Sequence, residues 1–135
     1  MNLSERTELH RIPDRGSHDR KTIDSILDAG FLAHVGFCLD GQPFVIPRCM
    51  AGMEKDSTCM VQPPVGCCEN LRLAWQSCVT VTLVDGLVLS RSAFDHSMNY
   101  GCVVAFGTSR KIADPEQKVK SLRVVCVVFA RYLRT

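Results

Sequence analysis

The sequence predicts an α+β fold, mainly β, in which hairpin-connected antiparallel strands are flanked by helices. Three observations predict it. Two Asp-Gly steps, Asp40-Gly41 and Asp85-Gly86, each stand between apolar runs of strand length, and both residues of such a step tolerate the positive φ of a tight hairpin turn. Residues 78–84 alternate apolar side chains with Thr80 and Thr82, the period of a half-buried strand. Towards each end the apolar residues recur three and four apart instead, the period of a helix.

The elements follow in order. Residues 19–29 form the first predicted helix: Ile23, Ile26 and Leu27 share a face, Asp19 is the N-cap and Gly30 supplies the stop. The strand at 31–39 is dense in apolar and aromatic residues and runs into Asp40-Gly41. Its return is expected at 43–46, bounded by Pro43 and Pro47, which cannot donate to a ladder. A third strand is expected at 57–62, broken by Pro63-Pro64, followed by a short helix at 65–75 with Leu71 and Trp75 four apart. The strand at 78–84 turns at Asp85-Gly86 and returns over 87–90, and a further strand covers 103–107. Asp114-Pro115 opens the last helix, with proline at its tolerated first position. There Val119, Leu122, Cys126, Phe129 and Leu133 make one apolar stripe. The division is a polar N-terminal arm, residues 1–18, and a single domain, residues 19–135.

Composition narrows the function. With 135 residues, 46% hydrophobic and 22% charged, the chain has the length and content of one self-sufficient globular domain. A net charge of +2 is too weak a field to argue for nucleic acid or a membrane surface. Residues 110–135 carry seven basic and two acidic side chains, which reads as a solvated helix face. No signal or transit segment is legible near the start, and the longest apolar run, 124–130, is too short to span a bilayer. A cytoplasmic setting follows as the expectation, and there thiols stay reduced. There is no G-x-G-x-x-G after a strand, no P-loop and no H-E-x-x-H.

Eight cysteines stand at 38, 49, 59, 67, 68, 78, 102 and 126, and no pair has the C-x-x-C spacing of a zinc or redox site. They read as small buried residues. Cys67-Cys68, in the first turn of the expected helix, is the position where a lowered thiol pKa is conceivable. His34, inside an apolar strand, reads as a core or interface histidine. His18 and His96 each adjoin an aspartate, but neighbouring side chains on a strand face opposite ways, so neither forms a dyad.

A family resemblance rests on ordered blocks. Arg15-Gly16-Ser17-His18-Asp19 leads through Ile26-Leu27-Asp28-Ala29-Gly30 to His34-Val35-Gly36-Phe37 and Asp40-Gly41-Gln42-Pro43-Phe44-Val45-Ile46-Pro47. Val84-Asp85-Gly86-Leu87-Val88-Leu89, Arg91-Ser92-Ala93-Phe94 and His96-Ser97-Met98-Asn99-Tyr100 follow. In these the chain resembles the pyridoxamine 5′-phosphate oxidase-like family of small flavin-nucleotide-binding proteins, from about residue 11 to about residue 122. The resemblance implies an antiparallel split β-barrel that forms a homodimer, holds FMN near the subunit interface and acts as a flavin oxidoreductase on an unknown small substrate. It also implies that Val45, Ile46 and Pro47 line the flavin ring, and that Ser97, Asn99 and Tyr100 lie beside the cofactor or the dimer contact.

The chain departs from the pattern where a phosphate would be held. Gln62-Pro63-Pro64 replaces His-Gly-Ser, Cys67-Cys68 replaces Ser-Arg, Gly101-Cys102 replaces Arg-Ser, and His18 replaces a tyrosine. Charge-assisted hydrogen bonds contribute about 1.5–3 kcal/mol each, so losing two weakens a flavin site about a hundredfold or more. The family pattern also continues into further strands, so an incomplete barrel is expected. Two rival readings remain: a degenerate, cofactor-free split barrel kept as a dimerisation module, and a Cys-based metal or redox protein built on Cys59, Cys67, Cys68 and Cys78.

Overall fold

The computed structural model describes residues 12–54, 57–60, 76–108 and 112–132. After a 3-10 turn at Pro13–Arg15 come helix α1 (Arg20–Ala29), strands β1 (Leu32–Leu39), β2 (Gln42–Glu54), β3 (Ser57–Met60), β4 (Gln76–Val88) and β5 (Ser97–Thr108), and helix α2 (Pro115–Tyr132). The strands form one antiparallel sheet in the order β3-β2-β1-β4-β5. Among the described residues it does not close, as expected of an incomplete barrel.

Helix α1 starts where its cap chemistry dictates. The Asp19 carboxylate accepts hydrogen bonds from the Thr22 N–H (3.0 Å) and hydroxyl (2.9 Å), meeting a donor the first turn would leave orphaned. These bonds hold the Asp19 carboxyl below its ordinary pKa. The helix does end at Gly30, but not through a left-handed cap: φ there is −84°. A Cβ on Gly30 would collide with Val81 Cγ1, so glycine is needed for α1 to press onto β4. Leu27 buries itself with Ala33, Met50, Val81 and Val103, and Ile23, Ile26 and Val79 pack around them. Burying a leucine of this kind contributes about 1.5–3 kcal/mol.

The first Asp-Gly step turns as expected, with Asp40 at φ 51° and Gly41 at 80°. The second does not. β4 runs straight through Asp85-Gly86, the register shifts between Val84 and Gly86, and Leu87 and Val88 continue opposite Met98 and Ser97. This is a β-bulge, one extra residue absorbed without leaving the ladder. The reversal comes later, through a 3-10 turn at Ala93–Asp95, where Ser90 N–H donates to His96 Nδ1 (3.1 Å). The strand expected at 103–107 accordingly begins at Ser97.

Pro43 and Pro47 lie inside β2, opposite Cys38 and His34, rather than at its ends. Described pairing on the other side of β2 begins only at Met50, and an outer edge tolerates a residue without an N–H. At α2, Asp114 accepts from the Glu116 and Gln117 N–H groups, as its position before Pro115 predicts. Val119 and Leu122 on its expected apolar stripe are half exposed. The Pro63-Pro64 break, the 65–75 helix, Cys67 and Cys68 lie outside the described residues.

Candidate flavin site on the open face of the sheet

Strand alternation divides the sheet into two faces. One is covered. Ala33, Val35 and Phe37 of β1, Ile46 and Met50 of β2, Val79 and Val81 of β4, and Val103 and Ala105 of β5 share it, and α1 packs on Ala33, Met50, Val79, Val81 and Val103. Phe37 and Phe44 stack there with ring centroids 5.6 Å apart. The other face is open. It presents Val45 (68% exposed), Val84 (62%), Tyr100 (58%), Val104 (50%) and Phe106 (50%). His34, Thr80, Thr82, Cys38, Cys49, Cys78 and Cys102 lie on the same face.

The open face has the chemistry of a flavin-ring site: flat, apolar and free of fixed charge, with a few hydroxyl, thiol and imidazole groups. Over residues 32–50, 76–84 and 97–108, outside the turn at Asp40-Gly41, no Asp, Glu, Lys or Arg falls on it. His34 is exposed between Pro47 and Thr80, not buried in a core. The Thr82 hydroxyl donates to Cys102 Sγ at 3.4 Å.

Of the six residues expected at the flavin, Val45, Pro47 and Tyr100 stand on the open face, while Ile46, Ser97 and Asn99 point the other way. The alternation of β5 forces this split, because Asn99 and Tyr100 are consecutive. Nor do the three on the open face form one cluster. From Pro47 to Tyr100 is three strand spacings across and four residues along, about 20 Å. Sequence reasoning missed Val84, Leu87, Val104 and Phe106. Their signal was the unbroken alternation Met98, Tyr100, Cys102, Val104, Phe106, obscured once the strand was taken to begin at 103.

At the expected phosphate positions the fit fails. Gly101 lies on the covered face, and a Cβ there would come within 3.3 Å of Ile26 Cδ1. Gly101 thus supplies no charged side chain where the resemblance expects an arginine. Cys102 brings a neutral thiol in place of a hydroxyl. The ring portion of the site fits a flavin; the phosphate contacts at 101 and 102 do not.

Cys38, Cys49, Cys78 and Cys102 are not cross-strand partners of one another: Cys38 faces Pro43, Cys49 faces Leu32, Cys78 faces Phe106 and Cys102 faces Thr82. All four are free thiols, and no group of three or more metal-ligating side chains occurs among the described residues.

Comparison with known proteins agrees with the split-barrel architecture. The flavocytochrome Anf3 from Azotobacter vinelandii is 36% identical, with a TM-score of 0.77 over 89% of this chain and 56% of its own. An FAD- and haem-binding protein from Mycobacterium smegmatis is 29% identical, with a TM-score of 0.70 over 80% of this chain and 53% of its own. A proposed 5-nitroimidazole antibiotic resistance protein from Bacteroides thetaiotaomicron is 27% identical, with a TM-score of 0.64 over 82% and 66%. The chain therefore spans between about half and two thirds of the length of these structures. No curated protein matches it. The family model for pyridoxamine 5′-phosphate oxidase matches residues 19–130. With most of the chain under that match, and with the antiparallel sheet of its structural neighbours, the protein belongs to the pyridoxamine 5′-phosphate oxidase family.

Proposed function

We propose that this protein binds FMN as a homodimer, with two open sheet faces enclosing the flavin, and serves as an oxidoreductase in the cytoplasm. The carrying observation is the separation of Val45 and Pro47 from Tyr100. One three-ring system does not reach both within a single copy, whereas a second copy laid against the open face brings its own Tyr100 to the first copy's Val45 and Pro47. A dry, uncharged wall on each side of the ring would exclude water, and bound flavin supplies the hydride chemistry.

The need for a cover supports the same reading. Beyond the β1 pairing, which ends at Val81, β4 and β5 continue as a two-stranded ribbon carrying exposed Val84, Leu87, Met98 and Tyr100. Such a ribbon is marginal in water unless something packs on it. The test is complementation. Val45→Asp and Tyr100→Ala are each expected to lose FMN binding, read by quenching of flavin fluorescence. Mixed after co-refolding, they are expected to recover about a quarter to a half of the wild-type sites, because a mixed dimer retains one intact site. No recovery on mixing would contradict a site shared by two copies. A folded wild type that quenches no FMN favours the cofactor-free dimerisation module.

A second reading, haem in place of or beside the flavin, has one observation in its favour. His34 offers an exposed imidazole on an otherwise apolar surface, the setting of an axial ligand, and two of the similar structures are a flavocytochrome and an FAD- and haem-binding protein. A Soret band on haem addition that His34→Ala abolishes would support it.

A further inference from the structure

Over its central stretch the sheet contains a single charged side chain in register, and it lies on the covered face; Glu54, opposite Ser57, and Asp85, at the bulge, lie beyond that stretch. Over residues 32–50, 76–84, 86–88 and 97–108, with the turn at Asp40 set aside, Arg48 is the only Asp, Glu, Lys or Arg. It is half-buried, stands opposite the fully buried Ala33 and lies between Ile46 and Met50 along the same face. Its Nη2 is closed off from water and has no hydrogen-bond partner. The other described atom in that condition, Asp24 Oδ1, lies 2.9 Å from Arg20 Nε, so its charge is met. No carboxylate among the described residues pairs with Arg48.

A guanidinium half-taken from water without a counter-charge destabilises a fold. Apolar residues on both sides would fill the position better, so the arginine calls for an anion. Its planar fork of parallel N–H donors suits the oxygens of a phosphoryl or carboxylate group. Both α1 and α2 lie against β2, while described pairing along the outer edge of β2 begins only beyond Arg48, at Met50. On the same covered face, position 101, where the family resemblance expects an arginine, is glycine under Ile26.

We propose that Arg48 is an anion-binding residue that takes a phosphoryl group at the helix side of β2. Its ligand is the phosphate of a flavin nucleotide or free phosphate; the shared chemistry is a doubly charged oxyanion received by the arginine fork. The proposal stands apart from the flavin reading, because it requires only the oxyanion.

The test compares melting of the full chain in millimolar sodium phosphate and in sodium chloride at matched ionic strength. The wild type is expected to melt higher in phosphate. Arg48→Met is expected to lose that response while melting in chloride at or above the wild type, because the orphaned charge is gone. Arg48→Lys, a point charge without the fork, is expected to keep part of it. A wild type that melts alike in both salts, or Arg48→Met responding as fully as the wild type, would overturn the proposal. FMN and riboflavin then separate the sources. A preference for FMN of about tenfold or more that vanishes in Arg48→Met places the flavin phosphate at Arg48. A phosphate response without such a preference assigns the site to free phosphate. If neither flavin binds while the phosphate response persists, the flavin reading fails and Arg48 stands.

Discussion

The covered and open faces of one sheet are built from the same residue types and end in opposite circumstances. On β5, Val103 is buried under α1 and Val104, its neighbour, is half exposed on the far side; on β4, Val81 is buried and Val84 is 62% exposed. A sheet meant to face water on one side alternates apolar with polar; β4 does so at its centre through Thr80 and Thr82, whereas β5 is apolar on both sides through Val103, Val104, Ala105 and Phe106. The open side leaves Val84, Val104 and Phe106 in solvent, and on the proposed reading a second copy covers them.

Substitutions that treat the two faces unequally break or sharpen this comparison. The largest effect is expected on the covered face. Gly30→Val places a branched side chain against Val81 where even a Cβ collides, and is expected to lower unfolding free energy by about 3 kcal/mol or to prevent folding. Chemical denaturation measures it. Phe106→Glu on the open face is expected to change the stability of one copy by no more than about 1 kcal/mol. The same charge set into an apolar interface is expected to weaken self-association about tenfold or more, measured by sedimentation equilibrium. If both substitutions simply unfold the chain, the open face is part of the core and the comparison collapses.

The smallest effect belongs to neither face. Asp19→Asn removes a charged cap that lies in solvent, and it is expected to lower the melting temperature slightly at neutral pH. Because the folded pKa of Asp19 lies below its unfolded value, its contribution is present above the unfolded pKa. It fades as pH falls through the folded one, below about pH 4. Wild type and Asp19→Asn should therefore converge in stability in that acid range. A difference that grows with acidity would contradict the capping account.

The parts of the fold that read correctly from sequence were those set by local chemistry. Asp19 and Asp114 cap helices with their own side chains, and Asp40-Gly41 reverses the chain because both residues adopt positive φ. The parts that did not were decided by neighbours far along the chain. Asp85-Gly86 is as good a turn sequence as Asp40-Gly41, yet pairing of residues 86–88 with 97–99 keeps β4 extended and reduces the step to a bulge. Pro47 ends strands in the middle of sheets and sits within this one because β2 has no described partner beside it there.

The site was legible in its blocks and not in its facing. The family resemblance brought residues 45–47 and 97–100 together as one cofactor neighbourhood, and alternation then sends Ile46, Ser97 and Asn99 to the covered side. The cysteines, expected as small buried residues, are not so at four positions: Cys38 and Cys102 are exposed and Cys49 and Cys78 half-buried, all free thiols on the open face. Arg48 carried no signal at all in sequence, since a lone arginine in a strand is notable only once no carboxylate among the described residues is found to pair with it.

The most direct measurement is sedimentation velocity of the purified chain with saturating FMN, followed at flavin and protein wavelengths together. The account predicts that flavin absorbance moves with a dimer, at about one FMN per chain, and that Phe106→Glu moves as a monomer stripped of flavin. Flavin sedimenting with a wild-type monomer would contradict it.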